Sequence, residues 1–582
     1  MTKSKKDKAT YPEQLDYALN AALGKYTLGV SPSAVLLAFY DWYLHLLLQP
    51  SKQLELFDLY QQNYWHLFTQ FLGQLSNEPQ GEYVAIGEKP DTRFTKKAWQ
   101  RFPYSFIYES FLIAQNWWHV AATDVHGVSR HHEEVVDFGI RQILDMLSPS
   151  NSPLTNPEIQ EAALNEAGEN FFRGLENYIE DTKRIQKDEP PVGAEEFIVG
   201  KNVAITPGNV IYRNQLIELI QYAPANDHVY AEPILITPAW IMKYYILDLS
   251  PKHSLVNYLV EKGHTVFMIS WKNPTRKERE LGMEDYLNLG IFSALDVITG
   301  LIPKQKIHLV GYCLGGTLAS IAAAALARND DDRLATLTLL AAQTDFTEPG
   351  ELGLFIDASQ ITFLENMMRE KGYLDTHQMA GAFQLLRSND LIWSRMIHDY
   401  MLGKRKPMKD LMAWNADATR LPYKMHSDYL RELFLHNSLA EGKYHVNGEP
   451  IALTDIRIPI FVVATERDHV SPWHSVFKIN LLTDVDVTFT LTSGGHNVGI
   501  VSIPTQKTER YYHLSTLKEK DRYINADAWL RQAKKYEGSW WPAWETWIDD
   551  HSSEKITAPP IGSAKKGYPA LEDAPGTYVL AK

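Results

Sequence analysis

A single cysteine lies where a predicted strand ends and a predicted helix begins. Residues 307–310 (IHLV) form an apolar run, residues 311–316 are GYCLGG, and an alanine-rich stretch follows at 317–327. Glycines two positions before and after Cys313 leave room for a tight turn that holds a nucleophile in strained backbone geometry. The thiol would face the positive end of the helix dipole, which favours the thiolate. The pattern predicts a nucleophile elbow that carries sulfur; the alternative is a buried structural cysteine.

An activated cysteine needs a base, and the base needs a group that orients it. Apolar runs at residues 459–465 and 487–492 are followed closely by Asp468 and His496, respectively. Nucleophile, acid and histidine therefore occur in the chain order of a triad built on the carboxyl ends of parallel strands. We predict that His496 is the base and that Asp468 holds it in one tautomer. Two alternatives stay open: Asp468 could cap a turn, and the adjacent His469 could be the functional histidine.

Acyl-transfer chemistry also needs N–H donors for the negative charge that develops on a carbonyl oxygen. The backbone N–H of Leu314, the residue after the nucleophile, is one predicted donor. The second donor should come from the loop that follows the apolar run at residues 233–237. Either Trp240 or Ile241 could supply it, and the sequence does not separate them.

Composition limits the class of protein. The chain has 582 residues, of which 45% are hydrophobic, so it can form more than one domain. Its net charge of −14 argues against general nucleic-acid binding, and its one cysteine suits a reducing cytosol. The most apolar stretch, residues 32–49, is short for a membrane span and carries Asp41 and His45. The histidine-rich residues 126–133 fit no closed zinc pattern, so we predict no metal and no other bound cofactor.

Two regions of the chain differ in periodicity. Residues 1–195 are mainly helical in pattern, and residues 53–75 and 104–122 carry aromatic side chains at helical spacing. Such aromatic faces could be intramolecular core or a surface for a lipid or polymer. Residues 196–582 alternate short apolar runs with helical stretches, which predicts a parallel sheet covered on both faces. The alternation lapses at about residues 343–450, where we expect a lid or cap.

The predicted sheet rests on short apolar runs bounded by turn residues. They lie at residues 210–212, 216–222, 233–237, 265–271, 307–310, 334–340, 459–465 and 487–492. Helical patterns at residues 254–261 and 284–299 separate several of them. The alternation of the two kinds of element is what predicts the α/β class.

Together with their surroundings, these residues resemble the poly(3-hydroxyalkanoate) synthases, most closely the class I type, which acts as a single subunit. The motifs that carry the resemblance are residues 243–249 (KYYILDL), 263–267 (GHTVF), 271–274 (WKNP), 311–316 (GYCLGG), 389–393 (NDLIW), 414–419 (WNADAT), 468–473 (DHVSPW) and 538–542 (GSWWP). The resemblance extends from about residue 94 to the C-terminal end. One departure lies at residues 495–499 (GHNVG), which differ after the histidine from the commonest form in the family.

The resemblance implies an α/β-hydrolase fold with a cap insertion at about 343–450 in residues 196–582. It also implies that residues 1–195 form a mainly helical domain for granule association and dimer support. The implied reaction passes an (R)-3-hydroxyacyl group from CoA to Cys313 as a thioester and releases CoA. A hydroxyl of the next unit, assisted by His496, then lengthens the polyester. Arg431 is a candidate to contact the anionic CoA.

The implied setting is a homodimer in the cytoplasm at the surface of polyester granules, together with granule-associated proteins. Class I likeness suggests short acyl chains. Two other functions remain as alternatives: an intracellular polyhydroxyalkanoate depolymerase or thiol esterase of the same fold, and a non-catalytic granule-coating protein. An elbow and a triad do not by themselves distinguish water from a chain-end hydroxyl as the acceptor.

Overall fold

The chain divides into two units. The structure is a computed structural model, and it describes residues 11–75, 91–376, 378, 381, 386–505 and 509–582. Unit 1 contains residues 1–22, 193–376 and 408–582, and unit 2 contains residues 23–192 and 377–407. Parts of two predicted regions lie outside the described residues: 1–10 and 76–90 in the N-terminal region, and 377, 379–380 and 382–385 in the cap.

Helices dominate the N-terminal region, as the periodicity predicts. They are α1 (Tyr11–Tyr26), α2 (Pro32–Leu47), α3 (Pro50–Leu75), α4 (Tyr104–Ala122), α5 (Arg130–Met146), α6 (Pro157–Asn165) and α7 (Glu169–Gln186). Proline begins α2, α3 and α6, a position where its missing N–H removes no intrahelical hydrogen bond. Ser31 and Asn156 cap α2 and α6, because their side-chain oxygens accept hydrogen bonds from the first-turn N–H groups.

The aromatic helices of unit 2 differ in what covers them. Tyr108 of α4 is buried with Phe94 and Trp99 in a small core. In contrast, α2 and α3 expose a series of large apolar side chains. They are Val35, Leu36, Leu37, Phe39, Tyr40, Tyr43, Leu44 and Leu47 on α2, and Leu54, Phe57, Tyr60, Tyr64, Trp65, Phe68, Phe71 and Leu72 on α3. The core interpretation therefore holds for part of α4 and fails for most of α2 and α3.

Unit 2 also contains part of the predicted cap. Residues Asn389–Trp393 and Met396–Met401 form wide helical turns, of which the first packs on α5 and the second on α7. Asp181 of α7 is buried, and its carboxylate accepts hydrogen bonds from Arg395 at 2.7 Å and from Arg405 at 2.9 Å. Burial of an unpaired carboxylate would be costly, so these ion pairs stabilise the packing of the two segments.

Unit 1 is built on a series of strands. They are β1 (Gly208–Arg213), β2 (Ile217–Tyr222), β3 (His228–Tyr230), β4 (Ile234–Thr237), β5 (Val266–Trp271), β6 (Ile307–Tyr312), β7 (Leu334–Leu340), β8 (Tyr373–Leu374), β9 (Leu421–Pro422), β10 (His445–Val446), β11 (Glu449–Pro450), β12 (Ile460–Thr465), β13 (Val487–Thr492), β14 (Tyr511–Leu517), β15 (Lys534–Glu537), β16 (Lys555–Thr557) and β17 (Glu572–Asp573). Of these strands, β1, β2, β4–β7, β12 and β13 coincide with the predicted apolar runs, and the others were not predicted.

The described helices of unit 1 lie between and after these strands. They are α8 (Leu255–Lys262), α9 (Met283–Asp285), α10 (Ser293–Leu301), α11 (Leu314–Arg328), α12 (Ala358–Lys371), α13 (Asp410–Asn415), α14 (Tyr423–Asp428), α15 (Trp473–Phe477), α16 (Ile479–Leu482), α17 (Ala526–Gln532) and α18 (Trp541–Asp550). Wide helical turns at Tyr286–Phe292 and Tyr429–Leu435 continue α9 and α14. Helices α12, α13 and α14 belong to the predicted cap.

Among the described residues, eleven strands form one sheet in the order β15-β14-β13-β12-β7-β6-β4-β5-β2-β1-β17. The central strands, from β13 to β5, are parallel. Strands β2 and β14 pair antiparallel with the two ends of this parallel set, so the predicted parallel sheet is confirmed in the centre and is antiparallel at its edges. The arrangement is an α/β-hydrolase fold with helical connections, and that predicted class is confirmed.

No helix in the described ranges combines the length and the apolar character needed to cross a membrane. Helix α2, the most apolar of the N-terminal set, contains sixteen residues and includes Asp41 and His45. At a rise of about 1.5 Å per residue, it falls short of the roughly 30 Å hydrocarbon core of a bilayer.

Close packing between β6 and α11 depends on glycine. A Cβ on Gly316 would lie 2.4 Å from the Cβ of Ala342 and 2.9 Å from the backbone oxygen of Gly311. A Cβ on Gly311 would lie 2.3 Å from the Cα of Gly316. The strand and the helix therefore approach each other at a distance that only hydrogen atoms at these positions allow.

We expect Gly316→Ala to lower the free energy of unfolding of unit 1 by about 1–3 kcal/mol, because the added methyl overpacks the strand–helix contact. Urea titration followed by circular dichroism measures the change. Gly139→Ala in α5 is the matched control, since nothing lies within 4 Å of its added Cβ. That control should not lose stability. Equal stability of wild type and Gly316→Ala would contradict this account of the elbow.

Candidate active site

The predicted nucleophile lies on a strained turn. Cys313 directly follows β6 and directly precedes α11, with φ of 53° and ψ of −125°. Positive φ is unfavourable for a residue that has a Cβ, so the neighbouring structure must hold it. The Cys313 N–H donates to the Leu340 carbonyl of β7 at 2.8 Å, and the Cys313 carbonyl accepts from the Gly316 N–H at 2.8 Å. The thiol is half-buried at the carboxyl end of the central strand.

Asp468 and His496 lie together at the same edge of the sheet. They follow β12 and β13, which are parallel neighbours, and β7 separates β12 from β6. The His496 Nδ1 atom lies 2.8 Å from Oδ2 of Asp468. An ionised carboxylate only accepts hydrogen bonds, so Nδ1 carries the proton and Nε2 is the nitrogen left for Cys313.

The carboxylate of Asp468 is held on both oxygens. Oδ1 accepts hydrogen bonds from the N–H groups of Val470 at 2.9 Å and Ser471 at 2.8 Å. Oδ2 also accepts from the Thr465 hydroxyl at 3.1 Å. Its side chain is fully buried. Asp468 therefore caps a turn and contacts His496 at the same time, so the two sequence interpretations are compatible.

His469 does not share this environment. Its side chain is exposed, whereas only 14% of the His496 side chain is exposed. The structure thus brings His496 and Asp468 together with Cys313, and it leaves the alternative histidine at the surface.

The electrostatics of the site favour a charged imidazole. Burial lowers the pKa of His496, but the negative charges of Asp468 and Cys313 and hydrogen bonds with both groups raise it well above its usual range. The neighbouring negative charges therefore favour the protonated imidazole. Cysteine is nucleophilic as the thiolate, so this charge distribution suits attack on an acyl carbon.

Tyr312 and Asn497, which were not predicted as site residues, form a hydrogen-bonded pair beside His496. The Tyr312 hydroxyl donates to Oδ1 of Asn497 at 2.6 Å, and the Tyr312 ring lies 5.7 Å from the imidazole of His496. Burial, followed by the charges of Cys313 and Asp468, raises the pKa of Tyr312 well above its usual range, so it stays a neutral donor. The position of Asn497 directly after His496, where the chain departs from the commonest family motif, was the available signal.

The predicted cap contains a cluster of aromatic side chains. Tyr429 follows α14, and its ring contacts Phe434 and Phe346, with centroid distances of 5.1 Å and 6.4 Å. Burial, followed by the charge of Cys313, raises the pKa of Tyr429. Tyr429, Phe434 and Phe346 therefore form an aromatic cluster within the predicted cap.

The predicted oxyanion donors lie on two segments that approach each other at the start of the loop after β4. Leu314 is the first residue of α11, so its N–H has no acceptor within the helix. A Cβ on Gly315 would lie 2.2 Å from the Thr237 carbonyl oxygen, which shows how closely the end of β4 approaches α11. Trp240 and Ile241 follow in that loop, and both remain candidates for the second donor.

The predicted CoA contact, Arg431, has a carboxylate partner. Its Nε and Nη2 atoms each lie 2.7 Å from an oxygen of Glu365. A hydrogen bond with Glu365 raises the pKa of Arg431. A CoA phosphate would have to compete with Glu365 for this guanidinium.

Comparison with known proteins agrees with the fold. Residues 10–52 match the family described as Poly-beta-hydroxybutyrate polymerase N terminal, residues 90–259 match Poly-beta-hydroxybutyrate polymerase (PhaC) N-terminus, and residues 232–495 match the alpha/beta hydrolase fold. The last match includes Cys313 and Asp468 and ends one residue before His496.

Three relatives illustrate the likeness. Poly(3-hydroxyalkanoate) polymerase of Methylorubrum extorquens is 38% identical over 84% of this chain and 81% of the relative. The poly(3-hydroxyalkanoate) polymerase subunit PhaC of Rhizobium etli is 36% identical over 85% of this chain and 77% of its own length. The subunit of the same name from Cupriavidus necator is 34% identical over 86% and 85%. Identity of this extent over most of both chains shows that the protein belongs to the poly(3-hydroxyalkanoate) polymerase family of enzymes.

Proposed function

We propose that this protein polymerises (R)-3-hydroxyacyl-CoA into polyhydroxyalkanoate through a thioester on Cys313. The observation that carries the proposal is the meeting of Cys313, His496 and Asp468 at one sheet edge in a chain of this family. In this proposal Cys313 is the nucleophile, His496 moves protons and Asp468 orients the imidazole.

Acylation begins with attack of the Cys313 thiolate on the carbonyl carbon of the acyl-CoA. The N–H of Leu314 and the N–H of Trp240 or Ile241 stabilise the oxyanion. Collapse of this intermediate breaks the bond from carbon to the CoA sulfur, and the His496 imidazolium gives its proton to that sulfur. The products are free CoA and an acyl group on Cys313, and His496 is left neutral.

Chain growth uses the same groups in the opposite protonation state. Neutral His496 takes a proton from the 3-hydroxyl of the acceptor, and the hydroxyl oxygen attacks the thioester carbon on Cys313. The new bond is an oxygen ester, and the Cys313 thiolate leaves beside the imidazolium. The resting ion pair is thereby restored, and the acceptor has grown by one acyl unit.

Water must be excluded for a polymer to form, because hydrolysis of the thioester would release the free acid. The aromatic cap residues Tyr429, Phe434 and Phe346 support this exclusion. We assign the water-excluding role to the cap at residues 343–450. A depolymerase or thiol esterase would instead admit water to the same acyl-enzyme.

The exposed apolar faces of α2 and α3 support association with a polyester granule. We propose that residues 1–195 form the granule-associating domain and support a homodimer, and that the enzyme works in the cytoplasm at the granule surface with granule-associated proteins. Residues 196–582 carry the catalysis, and Arg431 contacts CoA after exchange from Glu365. We expect short acyl chains to be preferred.

The product formed from 3-hydroxybutyryl-CoA tests the proposed function. We expect CoA release, followed with a thiol reagent, together with insoluble ester-linked polymer. Cys313→Ala, which lacks the nucleophile, should give neither product above background. Stoichiometric soluble 3-hydroxybutyrate from the wild type would contradict polymerisation and favour the hydrolase.

We expect Asp468→Asn to reduce turnover by about 10²- to 10⁴-fold while the fold is retained, because the amide neither holds the same tautomer nor stabilises the imidazolium. Loss of the carboxylate charge lowers the pKa of His496. Protonated His496 is needed for CoA to leave, so the alkaline limb of the kcat/KM profile should move to lower pH.

Asp549→Asn is the matched control for this variant. Asp549 pairs with the buried His264 at 3.2 Å, near the amino end of β5 and away from the carboxyl ends that carry the site. That variant should keep wild-type turnover and the wild-type pH profile. Turnover at the wild-type rate in Asp468→Asn would remove Asp468 from the mechanism.

A further inference from the structure

Residues 414–419 of the cap donate hydrogen bonds to the loop that carries the proposed second oxyanion donor, residues 238–243. The side-chain hydroxyl of Thr419 donates to the carbonyl of Trp240, and the backbone N–H of Thr419 donates to the carbonyl of Ile241 at 3.1 Å. Five residues earlier, Nε1–H of Trp414 donates to the carbonyl of Lys243 at 2.8 Å. One cap segment therefore restrains three carbonyl groups of the loop.

These hydrogen bonds lie away from solvent. Thr419 is 4% exposed, Trp240 is 2% exposed and Trp414 is 3% exposed. Water does not compete well for buried carbonyl groups, and a carbonyl left without its donor carries a desolvation penalty. The orientation of this part of the loop thus depends on the cap residues that donate to it.

The start of the loop is fixed separately, against the elbow. The Pro238 carbonyl accepts from Nε1–H of Trp271 at 2.8 Å. The preceding Thr237 carbonyl abuts Gly315, next to the predicted donor Leu314. The loop is therefore held at one end by the hydrolase core and farther along by the cap.

Because a peptide group is planar, the hydrogen bond to the Trp240 carbonyl also fixes the direction of the Ile241 N–H. In a trans peptide the carbonyl of one residue and the N–H of the next point in opposite directions. Because the Trp240 carbonyl points to the Thr419 hydroxyl, the N–H of Ile241 points away from Thr419. The Trp240 N–H belongs to the preceding peptide, which Thr419 does not touch.

We propose that Thr419 is a positioning residue for the oxyanion hole. Its hydroxyl fixes the orientation of the Trp240–Ile241 peptide, and the N–H of Ile241 thereby serves as the second donor. The inference rests on the proposed acyl transfer through Cys313, and it makes the cap part of the catalytic apparatus. Thr419 itself touches no reacting atom.

Two variants separate the hydroxyl of Thr419 from its bulk. Thr419→Val removes the donor to the Trp240 carbonyl but keeps the side-chain shape and the backbone N–H. Thr419→Ser keeps the hydroxyl. Loss of an oxyanion donor reduces rates by about 10²–10³, and misorientation should give part of that loss. We expect acylation by p-nitrophenyl acetate to fall by about 10- to 100-fold in Thr419→Val and to stay near wild type in Thr419→Ser.

Alkylation of Cys313 by iodoacetamide distinguishes positioning from general damage, because displacement at a saturated carbon forms no oxyanion. The alkylation rate of Thr419→Val should equal that of the wild type. An equal fall in alkylation and acylation, or wild-type acylation in Thr419→Val, would overturn the inference. So would failure of Thr419→Ser to restore acylation.

Comparison of p-nitrophenyl acetate with 3-hydroxybutyryl-CoA distinguishes failure of the proposed role of Thr419 from failure of the proposed polymerisation. Wild-type protein that is acylated by p-nitrophenyl acetate but makes no polymer from 3-hydroxybutyryl-CoA would refute polymerisation alone. The comparison of Thr419→Val with Thr419→Ser would still decide the role of Thr419. Absence of acylation of the wild type by both p-nitrophenyl acetate and 3-hydroxybutyryl-CoA would overturn both.

Discussion

The buried hydrogen bond between Nδ1 of His496 and Oδ2 of Asp468 is the interaction on which the site depends. It fixes the tautomer of the imidazole, directs Nε2 toward Cys313 and stabilises the positive charge that a thiolate partner requires. The bond exists because β12 and β13 are adjacent parallel strands whose following loops emerge at one edge. Sheet register thus places two residues that are 28 positions apart within hydrogen-bonding distance.

The position of Cys313, the proposed nucleophile, depends on a different constraint, the close approach of β6 and α11. Glycine at 311 and 316 lets the turn form, and the strained backbone of Cys313 presents sulfur at the helix start. The same N-terminus supplies the Leu314 N–H, while the loop after β4 lies against it through Gly315. The strained backbone of Cys313, the positive end of the helix dipole and the Leu314 N–H therefore lie together, because one tight turn joins a central strand to a helix.

Local patterns in the sequence were sufficient to predict the central strands and the order of the candidate site residues, but not the edge strands β14, β15 and β17. Strands buried on both faces appear as unbroken apolar runs, and the elbow is defined within six residues. Strand direction at the sheet edges was missed, because an apolar run does not specify its partner. The exposed faces of α2 and α3 were ambiguous for a related reason: periodicity defines a face but not what covers it.

Contacts between residues far apart in the sequence could not be predicted from local sequence patterns. Tyr312 and Asn497 are 185 positions apart, and Thr419 and Trp240 are 179 apart. Each pair meets only after the sheet and the cap have assembled. The segment around Arg395 likewise lies in the predicted cap by sequence, yet it pairs with Asp181 of α7 in unit 2. Buried charges and carbonyl groups need partners, and the folded chain supplies them from far away.

The most direct measurement is the mass of the Cys313 peptide after a rapid acid quench of enzyme mixed with 3-hydroxybutyryl-CoA. The thioester mechanism predicts that this peptide carries one or more 3-hydroxybutyryl units, that hydroxylamine removes them, and that CoA release accompanies their appearance. Acyl units found on a different residue, or CoA released in full with an unmodified Cys313 peptide at every quench time, would contradict the account.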